Sequence, residues 1–307
     1  MSWRWPWQRR GPPKKEKKPP WIVRLLRRRG VHLSPRAEWA LGWVETIVEV
    51  GVIFWLTITF VTVRMTVPTG SMKPTIEEGD SFFVDILSYH FRDPTPGSVI
   101  VFWHLEELRI TEVRAGSAAA QAGLEPGDWI VAPGYPTIGV GGEPVPSMVT
   151  LNRRIQAAQG TTLAFTVLRE ALGHKTLTVA VPQGAKDLDD LGIKARVRNA
   201  RYVKRLIAVG GQTVWIASDG KVMVDGVPLA RIADRTYWTH GPGMRYGVEP
   251  TLVPQDHYFV LGDNTMNSYD SRYWGFVPVE DFIGCPFFRV WPFRRFGPMN
   301  GYFWSAL

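Results

Sequence analysis

A serine at a glycine-bounded turn is the first residue whose surroundings suggest chemistry. It is Ser71, in the segment MTVPTGSMKPTIEEGD of residues 65–80. A serine at such a turn can expose its hydroxyl, and its backbone amide can point at a developing oxyanion. Most serines that follow a glycine are ordinary turn residues, so Ser71 needs a base before it counts as a candidate nucleophile.

The sequence offers that base in Lys204. This lysine lies in RYVKRLIAVGG, residues 201–211, an otherwise apolar run with the composition of a strand. Burial among Val, Ile and Leu disfavours the ammonium form and lowers the lysine pKa, which supplies the free amine that a general base requires near neutral pH. The alternative is a lysine on the solvent face of an alternating strand.

A second lysine, Lys73, competes with Lys204 for this role. It lies two residues from Ser71, and residues i and i+2 of an extended segment share a face. Its segment is polar and exposed, so we expect Lys73 to stay protonated. We therefore favour Lys204 as the base.

A third segment supplies groups that could orient a lysine. It is GDNTMNSYDSRYWGFVP, residues 262–278, which contains Ser268, Asp270 and Arg272. These residues offer a hydroxyl and an ion pair. The alternative is a surface ion pair of little energetic consequence.

Other hydrolytic chemistries lack their residues in this sequence. The six histidines form no HExxH motif and have no Ser–Asp context typical of a triad. The lone cysteine, Cys285, excludes an internal disulfide framework and a multi-cysteine metal centre. We therefore expect no metal and no cofactor. We interpret four of the histidines as surface or packing residues: His90, His104, His240 and His257.

The basic residues of the chain are concentrated at its N-terminus. The 307 residues carry a net charge of +8, but residues 1–38 hold 12 Lys/Arg against 2 acidic residues, so the remainder is slightly acidic. A basic tail on an acidic body argues against nucleic acid as a partner. The composition, 45% hydrophobic and 21% charged, argues against wholesale disorder and against a polytopic transporter.

An apolar segment follows this tail directly. Residues 39–63, WALGWVETIVEVGVIFWLTITFVTV, carry charge only at Glu45 and Glu49. A bilayer requires about 20 apolar residues, so the segment suffices if both glutamates lie near the head groups, with Trp39 and Trp43 at the interface. We predict one transmembrane helix with a cytoplasmic N-terminus. The alternative is a buried helix of a soluble domain.

Beyond residue 64 the pattern predicts mostly β structure with one inserted module. Short β-like runs between Gly/Pro turns, such as SFFVDIL and HYFVLGD, favour a barrel or a sandwich. Residues 105–190 instead predict strand, short helix, strand, turn, strand, helix and two strands, with 163–168 pairing with 177–181. The run GSAAAQAGLEPGD resembles PDZ domains of the bacterial protease-associated type over residues 108–182, although the glycine-rich carboxylate-binding loop is not recognisable.

Taken together, the remaining segments resemble the bacterial type I signal peptidases, which are Ser-Lys proteases. The matching segments occur in the family's order: PTGSMKPT, PGSVIVFW, YVKRLIAVGG, DGKVMVDGVPL, HYFVLGDN and NSYDSRYWGFVP. The resemblance covers residues 40–103 and 195–295. It implies a mostly β, barrel-like signal peptidase catalytic domain, formed by residues 64–104 and 191–307, with the PDZ-like α+β domain at 105–190 inserted into it.

The resemblance also implies roles for individual residues. Ser71 matches the nucleophile and Lys204 the general base. The Thr69 hydroxyl and the Ser71 amide match the oxyanion hole, and Ser268 matches the hydroxyl that holds the lysine amine. Shallow apolar pockets for small substrate side chains are lined by Met65, Val67, Pro68, Met72, Tyr202 and Val203.

One departure from the family pattern concerns charge. Thr265 stands where the family usually has Arg, so we expect a structural ion pair to be missing there. Asp270 and Arg272, by contrast, are expected to form a structural ion pair. This departure does not touch Ser71 or Lys204.

The function that the resemblance implies is the removal of signal peptides from exported preproteins, after small-x-small sequences, at the plasma (inner) membrane. The implied partners are preproteins, the lipid bilayer and a peptide or protein ligand of the PDZ-like domain; the sequence leaves open whether that domain binds anything. One alternative is a self-cleaving Ser-Lys regulator, which the anchor disfavours. Another is an anchored PDZ scaffold without activity, which the retention of Ser71, Lys204 and Ser268 disfavours.

Overall fold

The computed structural model describes residues 20–30, 33–56, 62–132, 138–170, 172–239 and 241–299. The chain divides into two compact units, Met1–Phe60 and Val61–Leu307.

The first unit contains two helices, α1 (Trp21–Arg28) and α2 (Pro35–Leu56). The Glu45 carboxylate accepts a hydrogen bond from the backbone amide of Trp21 at 3.1 Å. In the described part of the chain, no helix combines the length and the apolar character needed to cross a membrane. The predicted anchor at 39–63 overlaps α2 and also includes residues 57–61, which lie outside the described residues.

The second unit is mostly β, as predicted. Its strands are β1 (Thr62–Thr66), β2 (Ser81–Asp85), β3 (Val99–Val113), β4 (Trp129–Val131), β5 (Gly139–Val140), β6 (Thr162–Arg169), β7 (Gly173–Ala180), β8 (Ile193–Val209), β9 (Thr213–Ile216), β10 (Val222–Val224), β11 (Val227–Pro228), β12 (Thr251–Leu252), β13 (His257–Leu261), β14 (Val277–Pro278), β15 (Phe282–Trp291) and β16 (Gly297–Pro298). Its α-helices are α3 (Ala118–Gln121), α4 (Met148–Ala157) and α5 (Ser271–Trp274). Short 3-10 turns occur at Leu87–His90, Ala230–Ile232, Val279–Asp281 and Phe293–Arg295.

The strands form two antiparallel sheets. In the large sheet β1, β2, β15 and β3 are neighbours in that order, and β8 pairs with both β3 and β13. The small sheet has the order β11-β10-β9-β12. The pairings among described residues leave the large sheet open at its edges and do not close it into a ring.

A long ribbon of β3 and β8 connects the two halves of the second unit. The pairing runs without interruption from Val99 opposite Arg205 to Val113 opposite Ile193, with two irregularities in register. The predicted boundary between residues 104 and 105 therefore lies inside a continuous strand. Because paired strands are held by successive backbone hydrogen bonds, the predicted insert is joined to the rest of the second unit by a ribbon and not by two loops.

The inserted segment has its own hydrophobic core. Its strands and helices follow the predicted order, and Leu163 of β6 lies opposite Val179 of β7, as the pattern predicted. Ser117 and Ser147 accept hydrogen bonds from the first turns of α3 and α4, which fixes where both helices begin. The buried side chains of this core include Leu105, Leu108, Ile110, Ile130, Leu151, Ile155 and Phe165.

Polar contacts hold this segment against the catalytic part. Arg153 of α4 pairs with Glu280, and the Tyr246 hydroxyl donates to Glu143. Arg245 donates to the carbonyl oxygen of Gly142 at 3.1 Å. All of these side chains are exposed or half-buried, so the contacts orient the insert more than they stabilise it.

We predict that the catalytic part folds without the insert. Joining His104 to Ala200, which lie opposite each other in the ribbon, by an Asn-Gly turn closes β3 and β8 as a hairpin. The variant should unfold in one cooperative thermal transition and keep its near-UV circular dichroism, because the two hydrophobic cores are separate. Loss of cooperative unfolding would show that the insert is part of one core with its host.

A matched variant places the same turn between Val113 and Ile193. It keeps the whole ribbon but leaves Leu108 and Ile110, which are fully buried in the native protein, without their covering residues. Exposed apolar strands pair with other chains, so this variant should aggregate where the first does not. Light scattering distinguishes the two.

Candidate active site

Ser71 and Lys204 meet at the centre of the second unit. Ser71 lies in the turn after β1, and Lys204 lies on β8 opposite Ile100 of β3. Lys204 Nζ donates a hydrogen bond to Ser71 Oγ at 2.6 Å. The lysine side chain is buried whereas Ser71 is half-buried, so the pair combines a shielded amine with an accessible hydroxyl.

Burial controls the charge of this lysine. It lowers the pKa of Lys204 to about 8; the Asp270 carboxylate opposes that shift, the Arg272 guanidinium adds to it, and Asp263 opposes it. At mildly alkaline pH the amine is therefore largely neutral. A neutral amine 2.6 Å from a hydroxyl can accept the hydroxyl proton, which is the geometry that a general base needs.

Lys73 is in the opposite electrostatic state. Its ammonium lies 3.0 Å from Glu78 and 3.8 Å from Glu77, at the exposed surface. The hydrogen bond and the charge of Glu78 raise the pKa of Lys73 above its ordinary value. This lysine stays protonated, so it is a poor candidate for the base.

The residues after β13 hold the Ser71 turn in place. The Asn264 backbone amide donates to the Ser71 carbonyl oxygen at 3.0 Å, and its side-chain amide donates to the Gly70 carbonyl oxygen at 3.0 Å. Gly262 lies directly beneath the same turn. A Cβ at Gly262 would lie 2.6 Å from the Ser71 carbonyl oxygen and 2.1 Å from Ser268 Oγ, so only glycine permits this close approach.

Ser268 lies beside the pair without bonding to it. Its side chain is buried, and its hydroxyl has no hydrogen-bond partner within the described part of the chain. The structure thus brings Ser268 to the Ser71 turn through Gly262 but shows no Ser268–Lys204 hydrogen bond.

Asp270 and Arg272 form a fully buried ion pair. The two carboxylate oxygens accept from Arg272 Nε at 2.8 Å and Nη2 at 2.9 Å. Asp270 also accepts from the Gly262 backbone amide at 3.0 Å. The pair therefore fixes the strand end that supports Ser71, and its two charges act on the Lys204 pKa in opposite directions.

A second buried carboxylate, Asp263, is paired with two arginines. Thr265, where the family usually has an arginine, is not one of its partners. Asp263 accepts from Arg205 Nε at 2.7 Å and from the Thr75 hydroxyl at 2.5 Å, and Arg235 also pairs with it. Burial raises the pKa of Asp263, but Arg205, Thr75 and Arg235 outweigh burial and lower it below its ordinary value. Thr265 contributes only its backbone carbonyl, which accepts from Arg272 at 3.2 Å.

The remaining predicted residues divide into an exposed and a buried group. The Thr69 and Pro68 side chains are exposed beside the Ser71 turn, and Tyr202 is half-buried. The other predicted pocket residues pack into one hydrophobic cluster below Ser71: Met65, Val67, Met72 and Val203. Met72 has no exposed surface, so this group forms an apolar wall.

Comparisons with known proteins decide the family. A family model described as signal peptidase, peptidase S26, matches residues 40–291. The chain belongs to this signal peptidase family. The resemblance to signal peptidases and the expected enzyme class, a signal peptidase of the serine protease type, are confirmed.

Several relatives are signal peptidases by name. Signal peptidase I of Mycobacterium tuberculosis (strain H37Rv) is 30% identical over 270 residues, covering 80% of this chain and 70% of the relative. Signal peptidase I of Leptolyngbya laminosa is 27% identical, covering 79% and 75%. Probable signal peptidase I-2 of Synechocystis is 44% identical over 105 residues, and the match spans 34% of this chain and only 45% of that relative.

A solved structure also matches part of the chain. It is a signal peptidase I from Enterococcus faecalis V583, with 34% sequence identity, covering 28% of this chain and 81% of that chain. The TM-score of 0.22 is too low for a comparison of the folds.

One of the four histidines interpreted from the sequence is a packing residue near Lys204. His104, interpreted as a surface or packing residue, is buried against the rings of Tyr202 and Trp274 at 4.5 and 4.7 Å. Burial, and then the charge of Lys204, lower the pKa of His104 to about 3, so the imidazole is neutral at physiological pH. Ile100, Phe102 and His104 are alternate residues of β3, so their side chains share its inner face. This alternation is visible in the sequence and could have predicted the burial of His104.

We predict that Gly262→Ala removes most of the peptidase activity. The added methyl group displaces either the Ser71 carbonyl or Ser268, and a shift of about 1 Å at a reacting group costs on the order of 100-fold in rate. The measurement is kcat on a signal-peptide substrate together with near-UV circular dichroism. Gly51→Ala, where no atom lies within 4 Å of the added Cβ, is the control. Equal kcat in both variants would contradict the assigned role of Gly262.

Proposed function

We propose that this protein is a membrane-anchored serine endopeptidase that removes signal peptides through a Ser71–Lys204 dyad. The observation that supports this most strongly is the 2.6 Å contact between the Ser71 hydroxyl and a buried lysine whose pKa is lowered to about 8. The family membership supports the reaction class.

In the proposed acylation step, Ser71 Oγ attacks the scissile carbonyl carbon while Lys204 Nζ takes the hydroxyl proton. The tetrahedral oxyanion is stabilised by the Ser71 backbone amide and the Thr69 hydroxyl. Lys204, now an ammonium, returns a proton to the leaving amine, and an ester between Ser71 and the signal peptide remains.

Deacylation repeats the same proton transfers with water. The neutral Lys204 amine takes a proton from a water molecule, which attacks the ester carbonyl and releases the signal peptide. Burial of Lys204 serves both steps, because an exposed lysine would stay protonated at the working pH. Ser268 is proposed to hold the amine through its buried hydroxyl, which has no other partner among the described residues.

The proposed substrates are exported preproteins with small-x-small cleavage sites. Support comes from the apolar cluster next to Ser71, which contains Met65, Val67, Met72 and Val203. Pro68 and Tyr202 are proposed to complete this surface at its exposed rim.

The proposed location is the plasma (inner) membrane, with the N-terminus in the cytoplasm and the catalytic domain outside. The apolar segment 39–63 and the basic residues before it support a single-pass anchor in the lipid bilayer.

The insert is proposed to be a PDZ-like domain that binds a peptide or protein ligand. The order of its elements and its separate core support a self-contained module.

We predict that Ser71→Ala and Lys204→Ala each abolish cleavage of a preprotein with an Ala-x-Ala site, whereas Lys73→Ala retains most of it. The first two remove the nucleophile and the base, and the third removes a protonated surface lysine. Cleavage followed by gel electrophoresis, with chelator added in parallel, provides the measurement. Substantial turnover by Lys204→Ala, or loss of activity with EDTA that zinc restores, would overturn the mechanism.

The hairpin variant that joins His104 to Ala200 tests the role of the insert. If the insert presents preproteins to the dyad, the variant should keep its kcat on a short peptide and show a raised KM only for full-length preproteins. Lost turnover of the short peptide in a folded variant would instead place the insert in the active site.

A further inference from the structure

A cavity of about 550 Å³ lies in the catalytic part on the side away from the dyad. Arg205 follows Lys204 directly on β8, and side chains of successive strand residues point to opposite faces. Lys204 therefore points to Ser71 while Arg205 points into this cavity. The proposed signal peptidase mechanism does not use the cavity.

Arginine is the dominant polar residue of the cavity wall. Five arginines line it: Arg205, Arg231, Arg235, Arg289 and Arg295. They come from four separate stretches of the chain, β8, the segment after β11, β15 and the turn that follows β15. So many guanidinium groups around one cavity repel each other unless anions compensate them.

The carboxylates that pair with these arginines in the described part of the chain are too few for this compensation. Asp263 pairs with Arg205 and Arg235, and Asp80 pairs with Arg289 at 3.1 Å and Arg295 at 3.0 Å. Each buried carboxylate thus faces two guanidinium groups. Among the groups that affect the pKa of Arg289, Glu77 has the smallest effect. Glu77 forms its ion pair with Lys73 instead.

Arg231 adds a positive charge that has no ion-pair partner among the described residues. Its stem packs on Gly97, where a Cβ would lie 2.3 Å from Arg231 Cδ. Gly97 also has a φ of +89°, so glycine is required there both for the backbone conformation and for the approach of Arg231. The carbonyl oxygen of the same glycine accepts from Arg205 at 2.6 Å, which ties the two arginines to one turn.

Three of these guanidinium groups place a buried nitrogen against a shared carboxylate. Arg235 Nη1 lies against Asp263, and Arg289 Nε and Arg295 Nη1 lie against Asp80. Because two carboxylates serve four guanidinium groups, part of the positive charge at the cavity stays uncompensated.

We propose that this cavity binds a phosphate group carried by a small organic molecule or by a lipid head group. Arginine recognises phosphate through paired, charge-assisted hydrogen bonds, and the excess of positive charge matches a dianion. The cavity is larger than a tetrahedral oxyanion requires, and Tyr89, Val99 and Met299 give part of its wall an apolar surface. An organic substituent on the phosphate fits that part.

The test measures binding of inorganic phosphate to the full chain by titration calorimetry and by thermal unfolding, with chloride at equal ionic strength as reference. The wild type should bind phosphate and unfold at a higher temperature in its presence. Arg231→Gln should weaken phosphate binding about three- to tenfold, because one charged donor is lost. Arg294→Gln is the matched control: Arg294 is also exposed, lies beside Arg295 and does not line the cavity.

Two further arms distinguish the sources of phosphate. If the site takes a lipid head group, inorganic phosphate should displace the protein from phosphatidylglycerol vesicles, and Arg231→Gln should bind those vesicles less tightly than Arg294→Gln. If it takes a soluble compound, glycerol phosphate should bind more tightly than inorganic phosphate without any effect on vesicle binding. Either result supports the site.

The proposal is overturned if phosphate stabilises the protein no more than chloride does, or if Arg231→Gln and Arg294→Gln bind phosphate equally. A folded Arg295→Gln variant provides a second check, since it removes a guanidinium that contacts Asp80. It too should weaken phosphate binding. None of these measurements depends on peptidase activity. Phosphate binding can therefore fail while the proposed peptidase function holds, and the peptidase function can fail while phosphate binding holds.

Discussion

The arrangement depends on one constraint: an amine must be kept out of water and within hydrogen-bonding distance of a hydroxyl. Lys204 meets it because β8 lies inside the sheet, between β3 and β13, and the lysine side chain is buried against Ser71. Burial of this kind opposes folding. The native state holds Lys204 with a pKa of about 8, against an ordinary 10.5, so it binds fewer protons than the unfolded chain between those values. Stability from this group therefore rises with pH across that window and is lowest below it.

The surrounding structure positions the serine and the lysine with buried groups that are paired with each other. The Asp270–Arg272 ion pair and the Asp263 set are buried, and both hold the strand end that carries Gly262 and Asn264. These interactions act on position more than on stability, because a buried ion pair roughly balances its own desolvation. Their effect is to fix the Ser71 turn against a lysine that would otherwise turn toward water.

The sequence was sufficient to select Ser71 and Lys204, whose side chains are in contact in the structure, because the two residues lie in unusual local settings. Ser71 follows a glycine at a turn, and Lys204 interrupts an apolar run. The continuation of β3 beyond residue 104 was harder to predict. The residues from His104 to Val113 alternate between apolar and charged side chains, and the charged ones resemble a domain junction. Asn264 was missed since its role uses backbone carbonyl groups, which have no sequence signature. The arginine cavity was also missed, because its members come together only through the fold.

The proposed base is a neutral Lys204 amine, and the pH dependence of kcat/KM on a short signal-peptide substrate tests this assignment most directly. The active form is the deprotonated lysine, so kcat/KM should rise about tenfold per pH unit at low pH and level off above an apparent pKa near 8. The Lys73→Ala variant should show the same profile. A profile that is flat from pH 6 to 9, or one that shifts with Lys73→Ala, would contradict the assignment.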